Sequence, residues 1–261
     1  MNFNVITGLP RSGSTLLCNL LNQRPDTYAS STSALPQVAN GIATVLTNSP
    51  EETSRLANIP GTDEHHVRIV RNLIEGWHDT DKPVVFDKSR GWARNALLLH
   101  SAIPDAGIIV TVRDPREVLA SIERRNRETG VYEPGGDLFA RCNTQVAENG
   151  LVGGPIGGVE DLIRRKLPNV EFVTYDQFVA APARTMATIE KVCGLEPHEY
   201  DFDNVESTAT DADVVYRNKF PHKGSGPVKP VESGWSDVIP DDIAQGTLAR
   251  WPLFCSTFGY R

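Results

Sequence analysis

The sequence has no surplus of positive charge and no long apolar run. Its 261 residues carry 26 Lys and Arg against 33 Asp and Glu, a formal net charge of −7. This balance argues against a nucleic-acid-binding protein, because such proteins neutralise phosphates with an excess of basic residues. No apolar stretch approaches the roughly 20 residues of a membrane span, and no basic-then-apolar signal segment follows the first residue. We therefore expect a cytoplasmic protein without a membrane span.

Cysteine is scarce and scattered. The four cysteines are Cys18, Cys142, Cys193 and Cys255, and no two of them form a C-x-x-C pair. Free thiols are expected rather than a disulfide framework or a zinc site. With 39% apolar and 23% charged residues, the composition is that of an ordinary globular protein, and we predict a single α/β domain over residues 1–261.

The first feature that is present is a glycine loop close to the start of the chain. Residues 2–7 read as a buried strand, residues 8–15 read GLPRSGST, and leucines at helical spacing follow. In a Walker A loop of this spacing, backbone N–H groups cradle phosphates, a lysine serves the terminal phosphates and a hydroxyl holds magnesium. Here Ser14 stands at the lysine position. The sequence thus predicts an anion site at a helix N-terminus without the main equipment for metal-assisted γ-phosphate transfer; an ordinary strand-to-helix turn is the alternative.

Strands and helices alternate along the rest of the chain. Strands are predicted over 84–86, 108–112 and 170–175, with helical patterns between them, which favours a three-layer, doubly wound parallel sheet flanked by helices. Asp114 is predicted to cap a helix that begins at Pro115. Residues 24–66 are interpreted as surface segments, 150–158 as a glycine-rich link before a helix over 159–167, and 177–193 as one long helix after a capping Asp176.

A second anion site is predicted at the end of a central strand. Arg113 follows the β-branched run 108–112, and Ser121 lies eight residues further on, close to two helical turns. Ligands collect at the carboxyl ends of parallel strands, so Arg113 and the loop at 8–15 should share one edge of the sheet. Two such sites suit a nucleotide with phosphates at its 5′ and 3′ positions. Alternatively, Arg113 pairs with an acidic neighbour and Ser121 is a solvated helix residue.

Together, residues 10–17 (PRSGSTLL) and 112–121 (VRDPREVLAS) resemble the phosphoadenosine phosphosulfate (PAPS)-dependent sulfotransferases, over most of the chain. The resemblance implies a P-loop-like fold and a 3′-phosphate site at Arg113 and Ser121. It also implies a 5′-phosphosulfate loop of the arginine type, common among carbohydrate and tyrosylprotein members, formed by Arg11, Ser12, Gly13, Ser14 and Thr15.

Three shorter segments are similar to further parts of that family. Residues 86–89 (FDKS) resemble the strand end that supplies a lysine near the transferred group, here Lys88, and residues 173–176 (VTYD) resemble the strand whose tyrosine, here Tyr175, contacts the adenine. Residues 228–231 (VKPV) resemble a cofactor-binding segment. Lys229 in that segment and Lys223, both in a glycine- and proline-rich setting, are the remaining basic candidates.

The resemblance implies in-line sulfuryl transfer from PAPS to an acceptor hydroxyl or amine, without a metal. Arg11 and Lys88 would stabilise the charge at the transferred group. No carboxylate occurs in residues 29–33, where many relatives place a glutamate base, and Arg90 stands where another branch has a histidine. Asp87, His65 and His66 remain as candidate bases, each with a structural alternative.

Two other functions stay open. One is a P-loop kinase or nucleotide hydrolase, and the other is a non-catalytic nucleotide-binding protein that has lost its base. The tryptophans at 77, 92, 235 and 251 either line an acceptor pocket or belong to the core. The acceptor and the oligomeric state are not predicted.

Overall fold

A parallel β-sheet organises the chain, and its apolar strands are buried on both faces. The computed structural model describes residues 1–129, 136–209, 225–230 and 234–261. Lys223 lies outside these described residues. The sheet has five strands, β1 (Asn2–Gly8), β2 (Thr27–Ala29), β3 (Val84–Lys88), β4 (Ile108–Val112) and β5 (Val170–Thr174). Every pairing is parallel and the spatial order is β2-β3-β1-β4-β5.

Helices connect the strands on both faces. In chain order they are α1 (Ser14–Leu21), α2 (Leu35–Asn48), α3 (Pro50–Asn58), α4 (Thr62–Glu75), α5 (Ala96–Ala102), α6 (Pro115–Thr129), α7 (Leu138–Val146), α8 (Gly153–Arg165), α9 (Tyr175–Ala180), α10 (Pro182–Val192), α11 (Asp241–Arg250) and α12 (Pro252–Phe258). Short 3₁₀ turns cover Arg90–Ala93 and Trp235–Asp237. Within the described ranges, none of these helices has both the length and the apolarity needed to cross a membrane.

Side chains alternate between the two faces of the sheet along each strand, and the interior is therefore divided into two hydrophobic cores. On β1, Val5 packs in the core shared with α2, α5, α6 and α8, while Ile6 packs in the core under α1 and α10. Neighbouring strand residues point to opposite faces, so a sheet with helices on both sides buries both sets. The predicted three-layer α/β class is confirmed. The four cysteines are buried free thiols.

Three predicted segments differ from the structure, each for a local reason. The range 24–66 contains strand β2 and the buried Leu35 and Ala39, so it is not surface alone. Helix α8 begins at Gly153, and its glycines belong to the helix because they permit close packing: a Cβ at Gly158 would lie 3.0 Å from the Ala93 methyl group.

The segment around β5 is also divided differently from the prediction. The strand ends at Thr174, whose side chain caps α9 by accepting a hydrogen bond from the Gln177 N–H, so Asp176 is not the cap. The predicted long helix is two helices, because Ala181 leaves the helical conformation, with φ of −142° and ψ of 63°, and Pro182 starts α10. Asp114 does cap α6, with Oδ1 accepting from the Arg116 N–H at 2.9 Å.

The sheet register sets the position of the loop after β1. Ile6 lies beside Lys88 of β3, and Gly8 lies beside Thr111 of β4. The chain reverses its winding direction at β1, which therefore lies between the ends of β3 and β4. Such a switch point at the carboxyl edge is where open α/β sheets bind ligands.

Candidate functional site

The loop between β1 and α1 is held tightly against β4. Gly8 has φ of 120°, and a Cβ there would lie 2.0 Å from the Thr111 carbonyl oxygen. The buried Ser12 hydroxyl donates to the Leu9 carbonyl at 2.6 Å and lies 2.7 Å from Thr111 Oγ1. The side chain of Ser12 therefore maintains the loop, and its backbone N–H is the group that it offers to a ligand.

The N-terminus of α1 is built to receive an anion. Gly13 occupies the cap position with φ of 88°, no side chain in the described chain caps the helix, and its first turn holds no acidic residue. The first N–H groups of a helix lack intrahelical partners and carry the positive end of the helix dipole. Ser14 and Thr15 open the helix, so the predicted loop residues lie at a helix start of the kind that binds anions.

Lys88 extends from the end of β3 to the start of α1. Its backbone N–H donates to Ser30 Oγ at 2.9 Å, and its ammonium donates to Thr15 Oγ1, also at 2.9 Å. A cation is thus bound to the hydroxyl that would hold magnesium in a Walker A loop. This arrangement brings Lys88 to the loop and differs from the metal-binding one.

Asp87, the residue before Lys88, lies on the opposite face of the sheet. Its carboxylate is completely buried. Oδ1 accepts from the indole N–H of Trp92 at 2.6 Å, and Oδ2 lies 2.7 Å from Nε2 of His78. These contacts favour the structural alternative for Asp87, because both oxygens face the core and Lys88 faces α1.

Arg113 lies on the same edge of the sheet as the loop. Its Nη1 donates to the carbonyl of Arg11 at 3.1 Å, and its guanidinium lies 4.3 Å above the ring centre of Tyr175. Arg11, at φ of 59°, directs its Nε to Ser121 Oγ at 3.1 Å. The residues predicted for the 5′ and 3′ ends of the nucleotide are therefore in direct contact with one another.

A cleft of about 290 Å³ opens beside this group. Its walls are formed by Arg113, Asp114, Glu117, Tyr175, Asp176, Val179, Pro230 and Trp235. Lys229, which precedes Pro230 in the chain, is exposed. Its segment is anchored by the backbone N–H of Val228, which donates to the Phe202 carbonyl at 2.8 Å. The Trp235 ring lines the cleft and is stacked by Arg116, whereas Trp92 is buried in the core.

Glu117 is a residue of this cleft that the sequence analysis did not name, although it gave pairing of Arg113 with an acidic neighbour as its alternative. It lies one helical turn after Arg113, and its Oε2 is 3.6 Å from Arg113 Nη2. Burial raises the pKa of the Glu117 carboxyl, although the Trp235 N–H and the charges of Arg113 and Arg124 act in the opposite direction. Burial likewise raises the pKa of Tyr175. The i, i+4 spacing of opposite charges was a sequence signal for the pair.

The candidate histidines lie on α4. Nε2 of the buried His66 is 2.8 Å from Glu52 Oε2, a contact between α4 and α3, and His65 is exposed beside Arg68. These contacts account for both histidines without a role at the loop. His78, the partner of Asp87, was not singled out from the sequence.

The sheet order, the glycine loop and the two flanking cations define a P-loop-like α/β protein. A family model described as "Sulfotransferase family" matches residues 5–199. The chain belongs to the sulfotransferase family.

Individual relatives are distant in sequence. The chain is 24% identical over 255 residues to protein-tyrosine sulfotransferase A of Caenorhabditis elegans, which covers 92% of this chain and 63% of the relative. The chain thus spans less than two thirds of that protein. The sulfotransferase domain of the Synechococcus PCC 7002 olefin synthase matches with a TM-score of 0.61 at 18% identity, covering 99% of this chain and 94% of that one. A mouse sulfotransferase complexed with PAP matches with a TM-score of 0.55 at 13% identity, covering 100% and 90% of the two chains. These structures share the fold.

Proposed function

We propose that this chain transfers a sulfuryl group from PAPS to a hydroxyl or amine of an acceptor, leaving adenosine 3′,5′-bisphosphate. The observation that carries the proposal is the contact of Arg113 with the loop: its Nη1 binds the Arg11 carbonyl while Arg11 binds Ser121. Arg11 and Arg113 are neighbouring cations on one edge of the sheet, and they suit the 5′ and 3′ phosphates of a single nucleotide. Membership of the sulfotransferase family supports the same reaction.

The residues present fit the nucleotide in charge and in donor geometry. The start of α1 offers N–H groups without side-chain caps, and Nε of Arg113 is buried without a hydrogen-bond acceptor in the described part of the chain. A buried donor without a partner costs free energy, so a ligand oxygen that accepts from it is stabilised. Arg113 and Ser121 would hold the 3′-phosphate, the loop N–H groups the 5′-phosphosulfate, and the Tyr175 ring the adenine side, with Lys229 as a further cation.

When bound, the nucleotide would supply the sulfuryl group: its bond to the bridging phosphate oxygen would break as a bond to the acceptor oxygen or nitrogen forms, and the acceptor proton would pass to a base or to water. Lys88 is bound to Thr15 at the start of α1, and from there its positive charge would stabilise the negative charge that develops on that bridging oxygen. Arg11 lies on the other side of the loop. Charge stabilisation and positioning by these groups are the expected sources of rate acceleration.

Lys88 also bears on the kinase and hydrolase alternative. Because its ammonium occupies the hydroxyl of Thr15, metal binding at that hydroxyl would require Lys88 to move. We therefore propose turnover that does not depend on magnesium. A cytoplasmic location, a single domain over 1–261 and the identity of the base stay predictions.

The test measures both binding and transfer. Calorimetry with adenosine 3′,5′-bisphosphate and with AMP, in EDTA and in magnesium, should show preferential binding of the bisphosphate that magnesium does not alter. Labelled sulfate from PAPS should then be transferred to one member of an acceptor panel that includes tyrosine peptides, the acceptor in the name of the nematode relative. Magnesium-dependent ATP binding instead would favour the kinase alternative, and bisphosphate binding with no transfer to any acceptor would favour the non-catalytic one.

Replacement of Arg113 tests the 3′-phosphate assignment. We expect Arg113→Ala to weaken bisphosphate binding about 10- to 100-fold, the value of a charge-assisted contact, and to change AMP binding much less. Arg165→Ala is the matched control, because Arg165 forms a surface pair with Asp161 on α8. Equal loss for both nucleotides, or unchanged bisphosphate affinity, would remove the assignment.

A further inference from the structure

Glu117 places a negative charge inside the cleft assigned to the nucleotide. Its side chain is 18% exposed and that of Arg113 is 11% exposed, and the Oε2-to-Nη2 distance of 3.6 Å is too long for a hydrogen bond. The other oxygen, Oε1, accepts a hydrogen bond from the backbone N–H of Trp235 at 2.8 Å. Glu117 is therefore fixed at one end and faces Arg113 at the other.

Neither partner is satisfied by this contact. Within the described residues, Glu117 Oε2 and Arg113 Nε are buried atoms without a hydrogen-bond partner. A phosphate oxygen near Arg113 satisfies the guanidinium donor. It does not satisfy the Glu117 carboxylate. When ionised, this group has no hydrogen to donate to a phosphate oxygen, and its negative charge repels the phosphate.

We propose that Glu117 limits the affinity of this site: its carboxylate competes with the 3′-phosphate for Arg113 and so weakens the hold on the bisphosphate product. This inference rests on the proposed function. A product that carries the same 3′-phosphate as the substrate must leave after every transfer, and a carboxylate beside that phosphate favours its departure. Glu117 is thus a residue that sets ligand affinity and not a catalytic one.

The charges around Glu117 determine how the effect depends on pH. Arg113 and Arg124 attract its carboxylate, Asp114 repels it, and Asp176 and Tyr175 also line the cleft. Arg116, the next cation, is paired with Asp114 at 2.6 Å. Burial is the largest influence and raises the pKa of Glu117, so its carboxyl takes up a proton at a higher pH than a solvated glutamate. The competition should accordingly weaken as the pH falls through that raised pKa.

The variant Glu117→Gln isolates the charge, since the amide oxygen still accepts from the Trp235 N–H. We expect it to bind adenosine 3′,5′-bisphosphate at least about fivefold more tightly than the wild type near pH 8. The affinity for AMP, which lacks the 3′-phosphate, should not change. As the pH is lowered through the raised pKa of Glu117, the ratio of the two bisphosphate dissociation constants should fall towards one, because the wild-type carboxyl becomes neutral.

Glu128→Gln is the matched control, because Glu128 lies on the same helix, is 62% exposed and pairs with Arg125. It removes the same charge and should leave the bisphosphate affinity unchanged. The inference is overturned if Glu117→Gln binds the bisphosphate no more tightly than the wild type, or gains equally for AMP. If wild-type protein does not bind the bisphosphate, the proposed function fails as well. If binding depends on Arg113 but not on Glu117, the failure is confined to this inference.

Discussion

At the scale of single residues, two neighbours on β3 have separate tasks because a strand directs successive side chains to opposite faces. Lys88 meets Thr15 at the loop, while Asp87 binds His78 and Trp92 in the core. The sequence placed both near the transferred group. The structure brings Lys88 to the loop, where its role stays a prediction, and it gives Asp87 contacts that account for its burial without a catalytic role.

Replacing Asp87 distinguishes the two interpretations. We expect Asp87→Asn to lower the free energy of unfolding by about 1–3 kcal/mol, because a buried acceptor of two hydrogen bonds loses its charge. Turnover per folded molecule and its pH profile should stay close to those of the wild type. Urea unfolding and sulfate-transfer assays measure the two quantities on the same preparation.

Lys88→Met provides the contrast at the adjacent position. It should leave the free energy of unfolding nearly unchanged and lower turnover by about 100-fold or more, as expected for the loss of a group that stabilises developing charge. A fall of that size in Asp87→Asn, together with loss of the limb of the pH profile that reports a base, would instead identify Asp87 as the base.

At the scale of secondary-structure elements, the long β-branched and apolar runs were predictable and the helix junctions were not. The run 108–112 identified β4 because a strand buried on both faces needs no polar alternation. Strand β2 was missed because it is only three residues long and its sequence, TYA, carries no such run. Gly153 and Gly158 were taken for a link because glycine is a poor helix former. In the structure a Cβ at Gly158 would crowd Ala93, and a Cβ at Gly153 would crowd the carbonyls of Val146 and Ala147, so both positions need a small residue.

Residues of the site that lie in local sequence motifs were predictable, and contacts between distant segments were not. The two motifs located the loop, Arg113 and Ser121 through their order after strands, which the register of β1 against β4 preserves. The Glu117 contact with Trp235 could not be found, because the two residues are 118 positions apart and only the fold brings them together.

The junction of β1 with its loop depends on a close approach of two backbones. Gly8→Ala would put a methyl group 2.0 Å from the Thr111 carbonyl oxygen. We expect it to lower the free energy of unfolding by at least about 3 kcal/mol, because β1 and β4 would have to separate. Chemical denaturation gives the value.

Gly194→Ala is the control for this effect. Gly194 also has a positive φ, 63°, but no described atom lies within 4 Å of its Cβ position. Only the backbone penalty of about 1–2 kcal/mol applies there. If the two variants lose equal stability, the approach of β1 to β4 is not the reason for glycine at position 8.

At the scale of the whole molecule, an acidic chain brings three of its cations, Arg11, Lys88 and Arg113, to one edge of the sheet. The net charge of −7 opposes anion binding in general, so affinity for a nucleotide must come from local groups such as Arg11, Lys88 and Arg113. Those groups come from three separate strand ends, and a ligand that bridges them links the two halves of the sheet on either side of β1. Binding should therefore stabilise the fold as a unit.

Thermal unfolding tests this consequence. At a concentration about 100 times its dissociation constant, the bisphosphate should add about 2.7 kcal/mol to the free energy of unfolding. For a chain of this size that corresponds to a rise in Tm of roughly 5–10 °C. AMP at the same concentration should give a smaller rise, as measured by scanning calorimetry. Equal shifts for the two nucleotides would mean that the 3′-phosphate adds no stabilising contact.

The buried thiols give the molecule internal reporters of its own opening. Cys18, Cys142, Cys193 and Cys255 lie in or next to four different helices. Burial raises the pKa of Cys142 and Cys255 to about 11 and that of Cys193 to about 12, so in the closed state these three cysteines hold almost no reactive thiolate at neutral pH. Alkylation followed by mass spectrometry would then reveal the order in which separate regions become accessible to the reagent, without any introduced label.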